Sequence, residues 1–438
     1  MSARGVRRAT DREIVRLAVP ALGALAAEPA YVLVDTAVVG HLGTPQLAAL
    51  AIAATLLSGG VQLFNFLAYG TTAQVARAHG AGDRGLAGRL GAQALWLSIG
   101  LGVALGVLCA LGAPALVGAM GGEGEVGEMA VTYLRISALG LPCAVLALAG
   151  QGFLRGLSEL RRPLEIVVAA NVVNVVLELL FVFGFGWGIE GSAWGTVIAQ
   201  AGMGAAFVVV ILRRTGGARR PEAALLRGLG RMGGDIAVRT GALLLAFTLA
   251  GAVVARTGAP SLAAHQIAFQ LFIFLALVLD AIAIAGQIIV GRALGAADPS
   301  GARFAARRMI GWSVAAGGLF ALMLLALGGV LPRLFSPDPA VLERAAVLWP
   351  LFALMQPVGG AVFALDGILI GAGDSRYLKW SMVFAAGGVF APLAFASLAF
   401  GWGLVGVWWA LNALMLARLV TLGARFRGGR WAVSGATA

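Results

Sequence analysis

Long runs of apolar residues alternate with short, charged segments along the whole chain. Several of these runs reach or exceed about 18 residues, the length at which an α-helix can cross the hydrocarbon core of a bilayer. Twelve runs can be delimited, and each predicts a membrane-spanning helix. They cover residues 17–40, 46–76, 90–111, 130–154, 164–184, 191–212, 232–255, 262–291, 309–331, 346–370, 379–399 and 404–424.

The composition supports this pattern. Of the 438 residues, 60% are apolar and 12% are charged, whereas a soluble domain carries about 25% charged residues. A soluble enzyme is therefore excluded. A transmembrane β-barrel would show alternating segments of about ten residues instead of long apolar runs. The predicted fold class is an all-α polytopic membrane protein.

The basic residues predict how the chain is oriented. The net charge of +12 would suggest a nucleic-acid partner in a soluble protein. Here, with both termini in the cytoplasm, most of the 32 basic residues fall in cytoplasmic segments, as the positive-inside rule requires. We therefore predict an even number of spans and no nucleic-acid partner. Lysine occurs only at Lys379 in this Ala-rich and Gly-rich chain, which is typical of a GC-rich bacterial genome.

The chain contains an internal repeat. Residues 38–83 match residues 253–298 without a gap, with 17 identities in 46 positions where about 5 would be expected by chance. Six spans per repeat is an even number, so both halves enter the membrane in the same direction and are related by a pseudo-two-fold axis along its normal. The predicted organisation is a cytoplasmic segment (1–16), an N-lobe (17–212), a cytoplasmic linker (213–231), a C-lobe (232–424) and a cytoplasmic tail (425–438).

Placing an ionisable side chain inside the membrane costs free energy, so such residues indicate a functional site. The first span carries Glu28 and Asp35, which are seven residues apart and lie close to one helical face. In the fifth span Asn171, Asn174 and Glu178 also share a face. Counted along each span, Asp35 and Glu178 lie at similar depth, in the outer half of the membrane.

Two carboxylates at one depth of the same lobe predict a site for a proton or another cation. Repulsion between two negative charges in a low-dielectric environment is relieved when one of them is neutralised. The alternative is a hydrogen-bonded polar cluster that only joins helices, for which Asn alone would suffice.

The second repeat has no carboxylates at the corresponding positions and carries Arg239, Asp280 and Asp366 instead. Asp280 lies deeper and is the better candidate for substrate or cation contact. Asp366 lies near a predicted cytoplasmic turn, where a supporting or gating role is expected. For Arg239 two interpretations stay open, since the side chain can reach the interface or form an ion pair.

Four segments together resemble the multidrug and toxic compound extrusion (MATE) family, in particular its DinF-like branch. They read VDTAVVGHLG, LVLDAIAIAGQIIVGRALGAAD, NVVNVVLELLFVFGFGWGIEGSAWGTVIAQ and FLRGLSELRRP. The resemblance spans the whole chain and implies twelve helices in two lobes and cation-coupled antiport of small organic compounds.

The resemblance also implies roles for individual residues. Asp35, Asn174 and Glu178 match the family's coupling positions, while Tyr133 and Thr196 match polar residues that line the same pocket. DinF-like relatives usually have Asp where Glu178 stands. Because one methylene changes the geometry of a cation site, proton and sodium coupling both stay open.

We thus predict a monomeric antiporter, not an enzyme, in a bacterial cytoplasmic membrane. It would lie among membrane lipids and export small amphipathic or cationic organic compounds. A proton is favoured over sodium as the coupling ion. Cys109 and Cys143 lie in apolar runs without metal-ligand spacing, so no metal site or cofactor is expected. A lipid-linked precursor flippase would need several basic residues at membrane depth, where arginine is nearly confined to Arg239. A membrane-embedded transferase would need a DDxxD-type cluster, which is absent from the sequence, and a passive channel would not need buried carboxylates.

Overall fold

The computed structural model describes residues 3–215 and 220–436, which form helices joined by short turns. The α-helices are α1 (Ala3–Gly40), α2 (Thr44–Leu63), α3 (Asn65–Gly80), α4 (Arg84–Ala119), α5 (Gly124–Ala138), α6 (Leu141–Gly156), α7 (Arg161–Leu179), α8 (Gly188–Leu212), α9 (Ala223–Ala255), α10 (Ala259–Gly295), α11 (Pro299–Ala326), α12 (Leu331–Phe335), α13 (Pro339–Gly371), α14 (Ser375–Val383), α15 (Ala391–Ala399) and α16 (Gly403–Arg427). Two π-helical segments, Leu180–Gly184 and Phe384–Phe390, continue α7 and α14.

The predicted membrane helices are confirmed. Within the described residues, eleven helices are long and apolar enough to span a bilayer, and α5 with α6 makes a twelfth across a bend of 50°. This bend falls in the predicted fourth span, where Pro142 stands at the start of α6. Since proline has no backbone N–H, it cannot continue a helix without losing a hydrogen bond.

The chain forms two compact units, one around each repeat. The amino-terminal unit consists of Gly23–Gly233, and the carboxy-terminal unit of Met1–Leu22 together with Gly234–Ala438. The predicted lobes, residues 17–212 and 232–424, stay a prediction. Residues 216–219 of the predicted linker lie outside the described part of the chain. Next to them, Gln93 receives a hydrogen bond from the Glu222 amide (2.9 Å) and donates one to the Arg220 carbonyl (3.0 Å).

Ion pairs explain why the first residues belong to the carboxy-terminal unit. Arg308 binds both carboxylate oxygens of Asp11 at 2.7–2.8 Å, and the Trp312 indole donates to the same carboxylate at 3.0 Å. Arg292 binds Glu13 at 2.6 Å. Such charge-assisted, bidentate contacts fix the orientation of the helix that carries them. The beginning of α1 is thereby attached to α10 and α11.

The repeat is visible in how the helices pack. In the amino-terminal unit, a Cβ placed on Gly152 would overlap the backbone of Ala68. In the carboxy-terminal unit, a Cβ on Gly367 would overlap the backbone of Ala283 in the same way. Both pairs are related by the same offset that aligns residues 38–83 with residues 253–298. Each repeat therefore brings its two corresponding helices into backbone contact, α3 with α6 in one repeat and α10 with α13 in the other. Only a residue without a side chain permits this contact.

We expect Gly367→Ala to destabilise the protein by about 2 kcal/mol or more, because α10 and α13 must separate to admit the methyl group. Gly423→Ala is the matched control. Nothing lies within 4 Å of a Cβ at that position of α16, so alanine should be neutral or slightly stabilising there. The measurement is the thermal unfolding midpoint of both variants in detergent. Equal midpoints would contradict the packing argument.

Candidate functional site

Polar side chains from four helices meet inside the amino-terminal unit, and we call them the carboxylate cluster. They are Tyr31 and Asp35 of α1, Tyr133 of α5, Asn174 and Glu178 of α7, and Ser192 and Thr196 of α8. All except Tyr31 are buried in the unit. A buried polar group is unfavourable unless its hydrogen bonds are replaced, so the contacts within the cluster matter.

Hydrogen bonds connect three helices of the cluster. The Ser192 hydroxyl donates to Asp35 Oδ1 at 2.7 Å. The hydroxyls of Tyr31 and Thr196 lie 2.8 Å apart, and Asn174 Nδ2 donates to Thr196 Oγ1 at 3.2 Å. Because Thr196 is contacted from both α1 and α7, a movement of either helix would disturb the other.

Glu178 is the exception in this network. Its side chain is fully buried (0% exposed), yet neither carboxylate oxygen has a hydrogen-bond partner among the described residues. Asp35 and Ser192 are close enough to act on it electrostatically. The side-chain oxygen of Asn174 is also buried without a partner in the described structure. A carboxylate in this state is strongly unfavourable until a proton or a cation neutralises it.

Small residues position Glu178 against α8. A Cβ on Gly195 would lie 3.2 Å from the Glu178 backbone nitrogen, and one on Gly191 would lie 2.9 Å from the Phe181 backbone. The two glycines are four residues apart and so share one helical face. Phe181 already belongs to the π-helical segment Leu180–Gly184, which continues α7. This type of distortion is frequent at functional sites.

The structure brings most of the predicted N-lobe residues together. Five of them belong to the carboxylate cluster, namely Asp35, Asn174, Glu178, Tyr133 and Thr196. Asn171 lies outside it and donates to the Ala27 carbonyl at 3.0 Å, which connects α7 to α1. Glu28 is exposed on α1.

Sequence reasoning missed Tyr31 and Ser192. Each stands four residues before a predicted site residue on the same helix, Tyr31 before Asp35 and Ser192 before Thr196. Residues at this spacing lie on one helical face. Helical spacing was therefore the signal that could have found them.

Of the predicted polar residues of the second repeat, Arg239 and Asp366 are in contact within the carboxy-terminal unit. Arg239 and Arg418 both bind Asp366 Oδ2, which shows that Arg239 forms an ion pair. Asp280 is half-buried in α10 of the same unit. None of these residues belongs to the unit that holds the carboxylate cluster.

The expectation that Arg239 is nearly the only arginine at membrane depth was wrong. Arg418, within the predicted span 404–424, lies nine residues before the end of α16 and is 2% exposed. Arg77 and Arg155 are buried as well. Hydropathy alone does not reveal the burial of Arg418, because the Asp366 carboxylate of another helix offsets the cost of burying its charge.

Comparison with known proteins identifies the family. The MatE family model matches residues 20–180 and 236–396, once in each repeat. The chain is 33% identical to the chloroplastic protein DETOXIFICATION 44 of Arabidopsis thaliana over 93% of its own length and 80% of that protein. It is 30% identical to the DNA damage-inducible protein F of Escherichia coli, covering 96% of this chain and 94% of the relative.

Solved structures show the same fold. A MATE crystal structure in the bent conformation superimposes with a TM-score of 0.87 at 21% identity, covering 97% of this chain and 96% of that one. An outward-facing multidrug resistance MATE transporter gives a TM-score of 0.84 at 22% identity, with coverage of 96% and 95%. With its helices, its repeat and these matches, the chain belongs to the MATE family of multi-pass membrane transporters and is not an enzyme.

Proposed function

We propose that the protein is a proton-coupled antiporter that exports small amphipathic or cationic organic compounds. The observation that carries this proposal is Glu178, a fully buried carboxylate without a hydrogen-bond donor among the described residues, beside a second carboxylate, Asp35. A proton would remove one of the two charges and supply the missing donor. No metal or cofactor is required for this exchange.

The coupling step follows from the hydrogen bonds of the cluster. A proton taken up from outside would be held by Asp35 and Glu178, with Asn174 positioned beside them. The charge of the pair changes, and Ser192 and Thr196 transmit the change to α8 and α1. Reorientation of the transporter and release of the proton to the cytoplasm complete the cycle.

Sodium is the alternative coupling ion. The free oxygens of Glu178 and Asn174, together with Thr196, are the hard oxygen ligands that such a cation prefers. We favour the proton because a single proton shared by two adjacent carboxyl groups satisfies both of them at once.

The similarity to the DNA damage-inducible protein F of Escherichia coli supports a bacterial inner-membrane location and the DinF-like branch. We place both termini in the cytoplasm because the basic residues follow the positive-inside rule in that orientation. A monomer suffices, because one chain contains both repeats.

The flippase alternative would require basic residues that are available to lipid phosphates. Arg239 and Arg418 are at membrane depth, but each of them binds Asp366. Both guanidinium groups thus contact a carboxylate of the protein itself, which favours an antiporter over a flippase.

The deciding experiment is transport by the full chain in reconstituted vesicles, with ethidium as the cationic probe. A pH gradient and a sodium gradient are imposed separately at the same membrane potential. We expect ethidium antiport with the pH gradient alone. Transport driven only by sodium would show that the coupling ion is sodium, and no response to either gradient would contradict antiport.

We further assign Glu28 to substrate binding, because its carboxylate is exposed on α1 two turns before Asp35. Glu28→Gln should raise the half-saturating ethidium concentration by about 3–10-fold, which corresponds to roughly 1 kcal/mol. The coupling to protons should persist. Glu128→Gln, at an exposed position of α5, is the control and should leave the ethidium concentration dependence unchanged. An unchanged concentration dependence in Glu28→Gln would contradict this role.

A further inference from the structure

An apolar pocket lies between the last two membrane spans of the carboxy-terminal unit. Its volume is about 520 Å³, within the usual range of small-molecule sites. The lining residues come from α15, α16 and the turn between them. They are Leu393, Trp402, Val405, Gly406, Trp409, Ala410 and Ala413.

The internal repeat shows how this pocket differs from the carboxylate cluster. Leu393 is the counterpart of Glu178 in the second repeat, so the position has lost its charge. The counterparts of Ser192 and Thr196 are Val407 and Leu411, which are buried (0% and 3% exposed) and do not line the pocket. The pocket therefore lies on a different face of α16 from the one that corresponds to the cluster face of α8.

This face points outward from the unit. Trp402 and Trp409, which form two walls of the pocket, are 53% and 54% exposed. Both helices that enclose it are membrane spans, Ser375–Ala399 and Gly403–Arg427. What surrounds such a surface in the membrane is lipid hydrocarbon.

The length of the pocket matches one leaflet. Trp402 and Ala413 are eleven residues apart, which at 1.5 Å per residue is about 16 Å along α16. This is about half of the ~30 Å hydrocarbon core.

One end of the pocket is formed by a tryptophan, a residue typical of the membrane interface. Trp402 stands at the beginning of α16 and stacks on Phe400 with 5.5 Å between ring centroids. Tryptophan is enriched at the level of the lipid headgroups. The other end, at Ala413, would then lie near the middle of the bilayer.

The floor of the pocket is made of small residues. Gly406, Ala410 and Ala413 follow one another at intervals of four and three residues on one face of α16. Gly406 lets α16 pack closely against Ser397 of α15. Ala410 and Ala413 keep the next turns of the pocket free of bulky side chains, and its described lining contains no charged side chain. A linear hydrocarbon chain has the shape and polarity that this pocket accepts, whereas the charged head of an organic cation would find no counter-ion there.

We propose that the α15/α16 pocket binds one acyl chain of a bilayer phospholipid, with the headgroup at Trp402 and the chain end at Ala413. The lipid would belong to the leaflet in which α16 begins. The inference depends on the membrane location of the two helices and is independent of the coupling ion and the substrate.

The test is native mass spectrometry of the full chain, purified in detergent with added phosphatidylglycerol and washed in steps. Ala413→Phe fills the pocket, and Trp409→Ala removes one of its walls without adding bulk. Ala315→Phe, at an exposed position of the α11 span, is the matched control. We expect the wild type and Ala315→Phe to retain one more phospholipid than either pocket variant at the same wash step.

A second measurement separates lipid binding from general damage. Phosphatidylglycerol should raise the unfolding midpoint of the wild type and of Ala315→Phe, and should do so less in the two pocket variants. Equal lipid retention and equal midpoint shifts in all four proteins would overturn the proposal. So would ethidium transport that falls in Ala413→Phe while lipid retention stays the same, because the pocket would then serve the substrate.

Discussion

Asp35→Asn and Glu178→Gln should each reduce proton-driven efflux of ethidium more than about tenfold. Asp35 accepts the Ser192 hydrogen bond at 2.7 Å and acts electrostatically on Glu178. Either substitution leaves a single carboxyl group, so the pair loses the mutual repulsion that makes proton binding depend on both groups. A tenfold loss corresponds to about 1.4 kcal/mol. Efflux is measured in reconstituted vesicles under an imposed pH gradient.

The control for this prediction is Glu190→Gln. Glu190 is an exposed carboxylate in the first turn of α8, the helix that also carries Ser192 and Thr196. The Glu190→Gln variant should retain the ethidium efflux of the wild type. If Asp35→Asn retained full proton-driven efflux while folding normally, the carboxylate cluster would not be the coupling site.

Asp366→Asn should lower the free energy of unfolding by about 3–5 kcal/mol, the range for removing one partner of a buried ion pair. Asp366 accepts hydrogen bonds from both Arg239 and Arg418, and the Arg418 side chain is 3% exposed. Without the carboxylate, two guanidinium groups face each other in the interior of the unit. The measurement is the thermal unfolding midpoint in detergent.

Asp338→Asn is the matched control. Asp338 is exposed and caps α13 by accepting the Ala340 amide at 2.9 Å, which asparagine can also do. The unfolding midpoint of Asp338→Asn should therefore be close to that of the wild type. Equal unfolding midpoints for Asp366→Asn and Asp338→Asn would show that the buried ion pairs do not contribute to stability.

The carboxylate cluster illustrates what could be predicted. Asp35, Asn174 and Glu178 stood out because polar residues in a membrane span are rare and their spacing places them on one helical face. The hydroxyls of Tyr31 and Ser192 were not found, since Ser and Tyr are unremarkable in an apolar helix until another helix brings a polar partner to them. Burial of Arg418 was missed for the same reason.

The composition of the two compact units could also be predicted only in part. The repeat predicted two halves, yet the ion pairs of Asp11 and Glu13 attach the beginning of α1 to the carboxy-terminal unit. No feature within α1 indicates this, because the partners, Arg308 and Arg292, lie in the second repeat, far along the chain.

By itself the sequence determined the all-helical membrane fold, the internal repeat and the acids at membrane depth. These properties depend on hydropathy, helical spacing and charge, which are local along the chain. Only the tertiary structure decided which hydroxyl meets which carboxylate, where two arginines share Asp366, and that the counterpart of Glu178 borders an apolar pocket. Those outcomes depend on which helix faces are opposed, since the energy of a polar group in a membrane protein is set by the partners that other helices contribute.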